Sequence, residues 1–264
     1  MIEAEKQTYE HIIFEADGEI ARITMNRPEK RNALSMAHMQ ELTSCLKAIG
    51  ESREASVVVL AGSGAAFCAG HDLSEMIGRD PDFYRHIFDV CCELMETVQA
   101  IPQPVIAKVH GVATAAGCQL AATCDLVVAA EEARFATPGV KIGLFCSTPM
   151  VALSRAIGQK KAMEMLLTGD FISAQEALAE GLVNKVVPAE DLEAEIRKLA
   201  EKITGASPLV VGVGKQAFYH QIDMPVEQAY AYTKEVMSFN ASFADAQEGM
   251  CAFLEKRKPE WQGR

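Results

Sequence analysis

Two near-continuous runs of β-branched and aliphatic residues, each emptying into a turn of small residues, limit what this chain can fold into. Ser56–Ala61 (SVVVLA) and Val105–Val109 (VIAKV) lack the strict alternation of a strand with one wet face. Such strands are covered on both sides, and that coverage comes from crossover helices on a parallel sheet. The intervening segment agrees. Asp82–Ala100 carries Phe83, Ile87, Val90, Leu94 and Val98 at helical spacing and stops before Pro102 and Pro104. Upstream, His11–Ala16 and Ile20–Met25 alternate about Asp17-Gly18-Glu19, which predicts an antiparallel hairpin. Ser35 is placed to cap a helix from Met36 to about Ile49. After the second run come Gly111–Gly117, a short helix through Thr123 and a third strand, Leu126–Ala129. The order is that of an α/β chain with a parallel sheet.

Beyond Pro149 the pattern turns helical. Helices are predicted over Met150–Ile157, Lys160–Leu167, Ser173–Glu180, Pro188–Thr204, Pro208–Gln221, Pro225–Asn240 and Phe243–Lys256, with one strand-like insert at Val183–Val187. From Ile203 onward the chain is apolar with little sheet to pack on, so a helical appendage buried against a neighbouring subunit is expected.

The net charge of −11 and pI of about 5.1 disfavour nucleic acid, whose phosphates need basic surface. The eight cysteines form no C-x-x-C pair and no zinc-spaced Cys/His set, which argues against a metal site and for a reducing compartment. Met1–Glu10 has no basic start and no apolar core, and no apolar run is long enough to span a bilayer. These features predict a soluble cytoplasmic protein without a membrane partner.

Chemistry concentrates at two turns. Ala61–Leu73 (AGSGAAFCAGHDL) follows a buried strand and lets backbone approach a ligand closely, although an ordinary glycine-rich connection reads the same way. It is no P-loop, since no Gly-Lys-Ser/Thr follows, and it lacks the third glycine of a dinucleotide fingerprint. Gly111–Gly117 (GVATAAG) opens a helix, whose N-terminal amides suit a developing anion. Amides from two neighbouring turns can converge on one carbonyl oxygen as an oxyanion hole, worth about 2.7–4 kcal/mol per donor.

Taken with further stretches, these turns resemble the crotonase (enoyl-CoA hydratase/isomerase) superfamily from about His11 to Trp261. The matching pieces are Asn26-Arg27-Pro28, Arg31-Asn32-Ala33-Leu34, Phe67-Cys68-Ala69-Gly70-x-Asp72-Leu73, Pro104–Ala107, Gly117-Cys118-x-Leu120 and Cys124-Asp125-Leu126. They continue with Arg134-Phe135-Ala136, Leu167–Asp170, Ile172–Ala174, Gly181-Leu182-Val183 and Glu248–Arg257. The wording of residues 136–149 is that of one subgroup. The resemblance implies a ClpP-like ββα superhelix over residues 1–200 and an α-helical trimerisation region over 201–264. It implies a homotrimer or dimer of trimers, and an acyl-CoA substrate that brings coenzyme A as part of its thioester, with no separate cofactor. The oxyanion donors would be the backbone amides of His71 and Ala116. Lys30, Arg31, Ala69, His71, Asp72 and Leu73 would line the nucleotide end, with Phe239 and Lys256 as further contacts.

The chain departs from its family where protons are handled. The two hydratase glutamate positions fall at Gln119 and Gly139, and neither side chain exchanges a proton at ordinary pH. The aspartate that some isomerases and dehalogenases of the fold carry eight residues further on is Ser147. A nucleophilic Ser147, Cys146 or Thr148 would need a base, for which the side chains of His71 and His86 are candidates. Asp72 reads as a turn-stabilising carboxylate, His110 as structural, Cys118 and Cys124 as core, Lys160-Lys161 as the start of a helix, and Trp261 as an interface or tail residue. Met150, Met163 and Met165 read as core packing.

Overall fold

The structure, a computed structural model, describes residues 4, 7–52 and 54–264. The N-terminal reading above therefore falls partly on residues outside the described ones, namely 1–3, 5 and 6.

The hairpin forms as β1 (Ile12–Asp17) and β2 (Ile20–Met25), paired antiparallel. From β2 onward the main sheet is parallel: β3 (Val57–Gly62), β4 (Val105–Val109), β6 (Leu126–Ala130) and β9 (Lys185–Val187) follow in the order β1-β2-β3-β4-β6-β9. The residue patterns alone did not show the strands of a second sheet. It holds β5 (Val112–Thr114), β7 (Arg134–Ala136) and β8 (Ile172–Ser173), in that order. These strands have two or three residues, too short for a periodicity to show in sequence. From β4 to β7 consecutive strands alternate between the two sheets, so the chain there winds through both.

Continuous apolarity in β3 has a direct cause. Val58 and Leu60 enter the large core with α1 (Met36–Glu51) and α3 (Pro81–Ala100), while Val57 and Val59 face the smaller cluster under α8 (Leu192–Thr204). β4 and β6 divide in the same way, with Ile106 and Val128 on the α8 side. Leu192, Ile196 and Ala200 recur at four-residue spacing and are buried there. Burying an aliphatic side chain of that size contributes about 1.5–3 kcal/mol. Caps fix the helix starts: Ser35 accepts from His38 N and Asp80 from Phe83 N, so the predicted cap at Ser35 is present.

The C-terminal part comprises α9 (Pro208–Gln221), α10 (Val226–Ala241) and α11 (Ala244–Glu255), preceded by α5 (Pro149–Ala156), α6 (Gln159–Thr168) and α7 (Ala174–Glu180). Lys160-Lys161 does begin a helix. The methionine expectation is corrected: Met165 is buried, but Met150 and Met163 are exposed, because α5 and α6 turn those positions outward. Among the described residues no helix is long and apolar enough to cross a membrane.

Candidate functional site

The Arg27–Leu34 loop lies against the Ala61–Leu73 turn through a ladder of backbone bonds. Ala69 N donates to Arg31 O, Leu34 N to Gly70 O at 2.7 Å, and Asp72 N to Leu34 O at 3.0 Å. Residues 70 and 72 thus bond to one side. In extended chain the amide between them faces the opposite way, and His71 N has no partner among the described residues. Asn32, left without a role by the sequence reading, pins this arrangement. Its Nδ2 donates to Ser63 O and Ala66 O while its Oδ1 accepts from Arg27 N. Asp72 accepts from Ser74 and pairs with Arg27 at 2.9 Å, as a turn-stabilising carboxylate should. Burial pushes its carboxyl up, but the Ser74 and Arg27 hydrogen bonds outweigh that and leave it below the ordinary carboxylate range.

The second turn joins β5 to α4 (Ala116–Thr123). Ala115 sits at φ 50°, ψ −119°, a conformation L-residues rarely adopt. Ala116 N, first in the helix, also has no partner among the described residues. The two turns touch. A Cβ on Gly70 would come within 2.9 Å of Ala115 Cβ and 3.4 Å of Ala116 N. A Cβ on Gly117 would strike Cys68 O at 2.2 Å. Glycine at both positions is therefore a packing requirement, and it brings the unpaired His71 and Ala116 amides onto adjoining backbone.

Gln119 lies one turn along α4 and is buried, accepting a long contact from Cys91 Sγ at 3.9 Å. It borders a cavity of about 240 Å³ together with Met95, Thr123, Thr148 and Val151. Gly139 is buried in the turn Pro138–Ile142, and a Cβ there would meet Leu144 O at 2.4 Å and Cys146 Sγ at 2.8 Å. The Cys146 thiol fills the space a longer side chain would need. Burial pushes this thiol up, against a hydrogen bond from the Gly139 backbone. Ser147 is exposed, and its hydroxyl reaches only Phe145 O at 3.4 Å. Among the described residues no base hydrogen-bonds to it, so a nucleophilic Ser147 gains no support.

The His71 imidazole stands edge-on to Phe88, ring centroids 5.6 Å apart, with both nitrogens buried and unpaired among the described residues. Burial pushes it down to about 4. The Leu34 carbonyl opposes that shift slightly, but neither nitrogen meets it in hydrogen-bond geometry. His110 accepts a structural role, with Nε2 2.9 Å from Gly64 O. Cys118 and Cys124 are core, both thiols pushed up by burial. Trp261 is a tail residue whose Nε1 donates to Gly205 O.

Lys30, Arg31, Ala69, His71, Asp72 and Leu73 are brought together at the loop–turn junction, with Lys30, Arg31 and Leu73 exposed. Phe239 and Lys256 do not join them in this chain: Phe239 meets Phe243 edge-on, and Lys256 ends α11 in a left-handed cap.

Alternating sheets and two unpaired amides where their turns meet make this a crotonase-type α/β superhelix. The chain belongs to the enoyl-CoA hydratase/isomerase family, whose model matches residues 15–264. Enoyl-CoA hydratase domain-containing protein 3, mitochondrial, of Mus musculus is 46% identical over 92% of this chain and 81% of that protein. The crystal structure of the human protein of that name superimposes with a TM-score of 0.93 at 44% identity, covering 96% of this chain and all of that one (100%). An enoyl-CoA hydratase of Mycobacterium smegmatis gives a TM-score of 0.94 at 47% identity, over 96% of this chain and 99% of that chain. The expected cytoplasmic location is corrected by these comparisons, since the mouse, rat, frog and human relatives are all named as mitochondrial.

Proposed function

We propose that this protein binds an acyl-coenzyme A thioester and stabilises an enolate-like oxyanion on its carbonyl between the amides of His71 and Ala116. The carrying observation is the pair of partnerless N–H groups on two turns in van der Waals contact. Preorganised donors of this kind act where negative charge develops, without reorganisation cost. The exposed Lys30 and Arg31 beside them supply positive charge for the nucleotide phosphates, and Phe239 and Lys256 add to that end from the helical region of a neighbouring subunit. Residues 1–200 form the core with the acyl-CoA site, and 201–264 the oligomerisation region of a homotrimer or dimer of trimers.

The reaction is nominally that of an enoyl-CoA hydratase in acyl metabolism, with Gln119, Gly139 and Ser147 at the positions where the family's acids and bases stand. Gln119 orients water or substrate; it does not exchange a proton. A second reading, a catalytically silent acyl-CoA-binding homologue or a partner of an active paralogue, is favoured by Gly139. Leu144 O and Cys146 Sγ leave no room there for a glutamate, so restoring hydration with Gln119→Glu plus Gly139→Glu would require the 144–146 loop to move. A panel of enoyl-, 3-hydroxyacyl-, malonyl- and branched acyl-CoA esters decides between them. Turnover of any ester carries the enzyme reading, and binding without product carries the silent one. Absence of binding to every ester overturns both.

A further inference from the structure

The fold leaves a cleft at the end of the main sheet that the two turns do not reach. The turns follow the C-terminal ends of β3 and β4, whereas this cleft, of about 680 Å³, borders the residues that enter those strands, Ser56 and Gln103. β3 and β4 run parallel, so the length of both strands lies between the cleft and the turns. Leu209 and Val213 of α9 form one wall, and the C-terminal tail at Trp261 forms another. That tail is held in place. Trp261 Nε1 donates to Gly205 O at 2.9 Å, and Gln262 N and Gly263 N donate to Asp245. A space of this volume suits a small molecule.

The lining combines negative charge with an orphaned acceptor. Gln103 is 5% exposed. Its Nε2 is spent on the carbonyls of Ile49, Ser52 and Ala55, at 2.9, 3.0 and 3.3 Å. Its Oε1 is buried and has no hydrogen-bond partner among the described residues. An acceptor stranded in a cleft wall costs desolvation free energy, which a donor entering the cleft would offset. The charged residues described in the lining are Glu19 and Glu51, and neither forms an ion pair among the described residues. Helices α1 and α8 also end here, at Gly50-Glu51 and Thr204, and a helix C-terminus carries partial negative charge. The start of α9 opposes this little, since Pro208 has no N–H and Ser207 Oγ takes up the Val210 amide.

We infer that this cleft is a second binding site, for a small aliphatic ammonium ion. The ammonium N–H groups donate to Gln103 Oε1, and Glu19 and Glu51 balance the charge. The alkyl stem lies on Pro102, Leu209 and Val213, and the Trp261 indole offers the aromatic surface that cations favour. A divalent metal fits less well, because it needs several converging oxygens and no group of three His, Cys, Asp or Glu forms one among the described residues. A neutral alcohol would satisfy Gln103 and leave both carboxylates unbalanced. A quaternary ammonium would do the reverse. The site does not depend on the acyl-CoA reading.

Trp261 is the chain's single tryptophan, so its fluorescence reports this cleft. Titrating the full chain with 1,4-diaminobutane at constant ionic strength should change that emission saturably, with half-saturation below about 10 mM. The diol 1,4-butanediol and tetramethylammonium chloride should each bind at least about tenfold more weakly. In the double variant Glu19→Gln plus Glu51→Gln, half-saturation by the diamine should rise at least about fivefold. Gln103→Met removes the orphaned acceptor and should weaken binding as well. Because it also releases three carbonyls, the glutamate variant decides where Gln103→Met fails to fold. No saturable change in the wild type, equal binding of either control, or unaltered binding in the double variant overturns the site.

Discussion

Ala115 shows how one residue's backbone sets up a site. Its φ of 50° with ψ −119° lies where L-residues carry strain of about 1–3 kcal/mol. Glycine would relieve that strain and give back about 0.4–1 kcal/mol through the freer unfolded chain. Ala115→Gly should therefore stabilise the fold by about 1 kcal/mol net, seen as a higher urea midpoint. A lower midpoint would show that the methyl packs productively. Histidines set the acid limb of stability. Burial pushes the His38 imidazole down to about 4, against a raising hydrogen bond that its ring donates to the Ala33 carbonyl, with Arg27 and His11 lowering it further. His71 is pushed down to about 4 as well. In the unfolded chain both take up protons near pH 6.5. Between about 6.5 and 4 the unfolded state binds more protons, so their contribution is complete above that window and lost as pH falls through it. Unfolding free energy should drop by about 1–3 kcal/mol per histidine across the window, and His38→Gln should flatten the slope. A pH-independent midpoint from 7 to 4.5 would refute this.

Among the elements, α9 is anchored by one buried cation. Lys215 Nζ pairs with Asp125 Oδ2 at 2.8 Å and donates to Val98 O and Gln103 O. Asp125 also accepts from Val105 N and Tyr219 OH. This network joins the start of β4, the start of β6, the end of α3 and α9, and all three ammonium protons find acceptors. Burial pushes the Lys215 amine down, while Asp125 holds it up in opposition. Lys215→Met would leave Asp125 uncompensated in a nearly dry site. Breaking a buried pair from one side costs about 3–5 kcal/mol. A loss below about 1 kcal/mol in denaturant titration would show that water replaces the ammonium. In the sequence Asp125 is part of a motif and Lys215 is one lysine in an apolar helix, and nothing there joins them across 90 residues.

The whole molecule carries an unpaired surface. α10 has no buried residue, and Tyr230, Met237 and Phe239 are exposed on it. On α11, Phe253 is 83% and Leu254 78% exposed. Large apolar side chains exposed in this number on two neighbouring helices suit a surface that another chain covers. Light scattering should give the mass of three or six chains, and Tyr230→Asp or Phe253→Asp should lower it. A monomeric wild type would remove the proposed oligomer and with it any contribution of Phe239 and Lys256 from a neighbour.

The longer elements were legible in sequence because burial writes its period into them. β3 and β4 read as doubly covered, α3 as amphipathic, and Ser35 as a cap, all from interactions within a few residues. The candidate turns were legible for the same reason, since small residues after a buried strand mark close backbone approach. The folded chain alone decided the rest. The second sheet, the contact of Gly70 with Ala115, the Cys146 thiol in the space beside Gly139 and the pairing of Lys215 with Asp125 each join residues remote in sequence. Sequence spacing carries no information about distances of that kind; they follow from how the spiral stacks its turns.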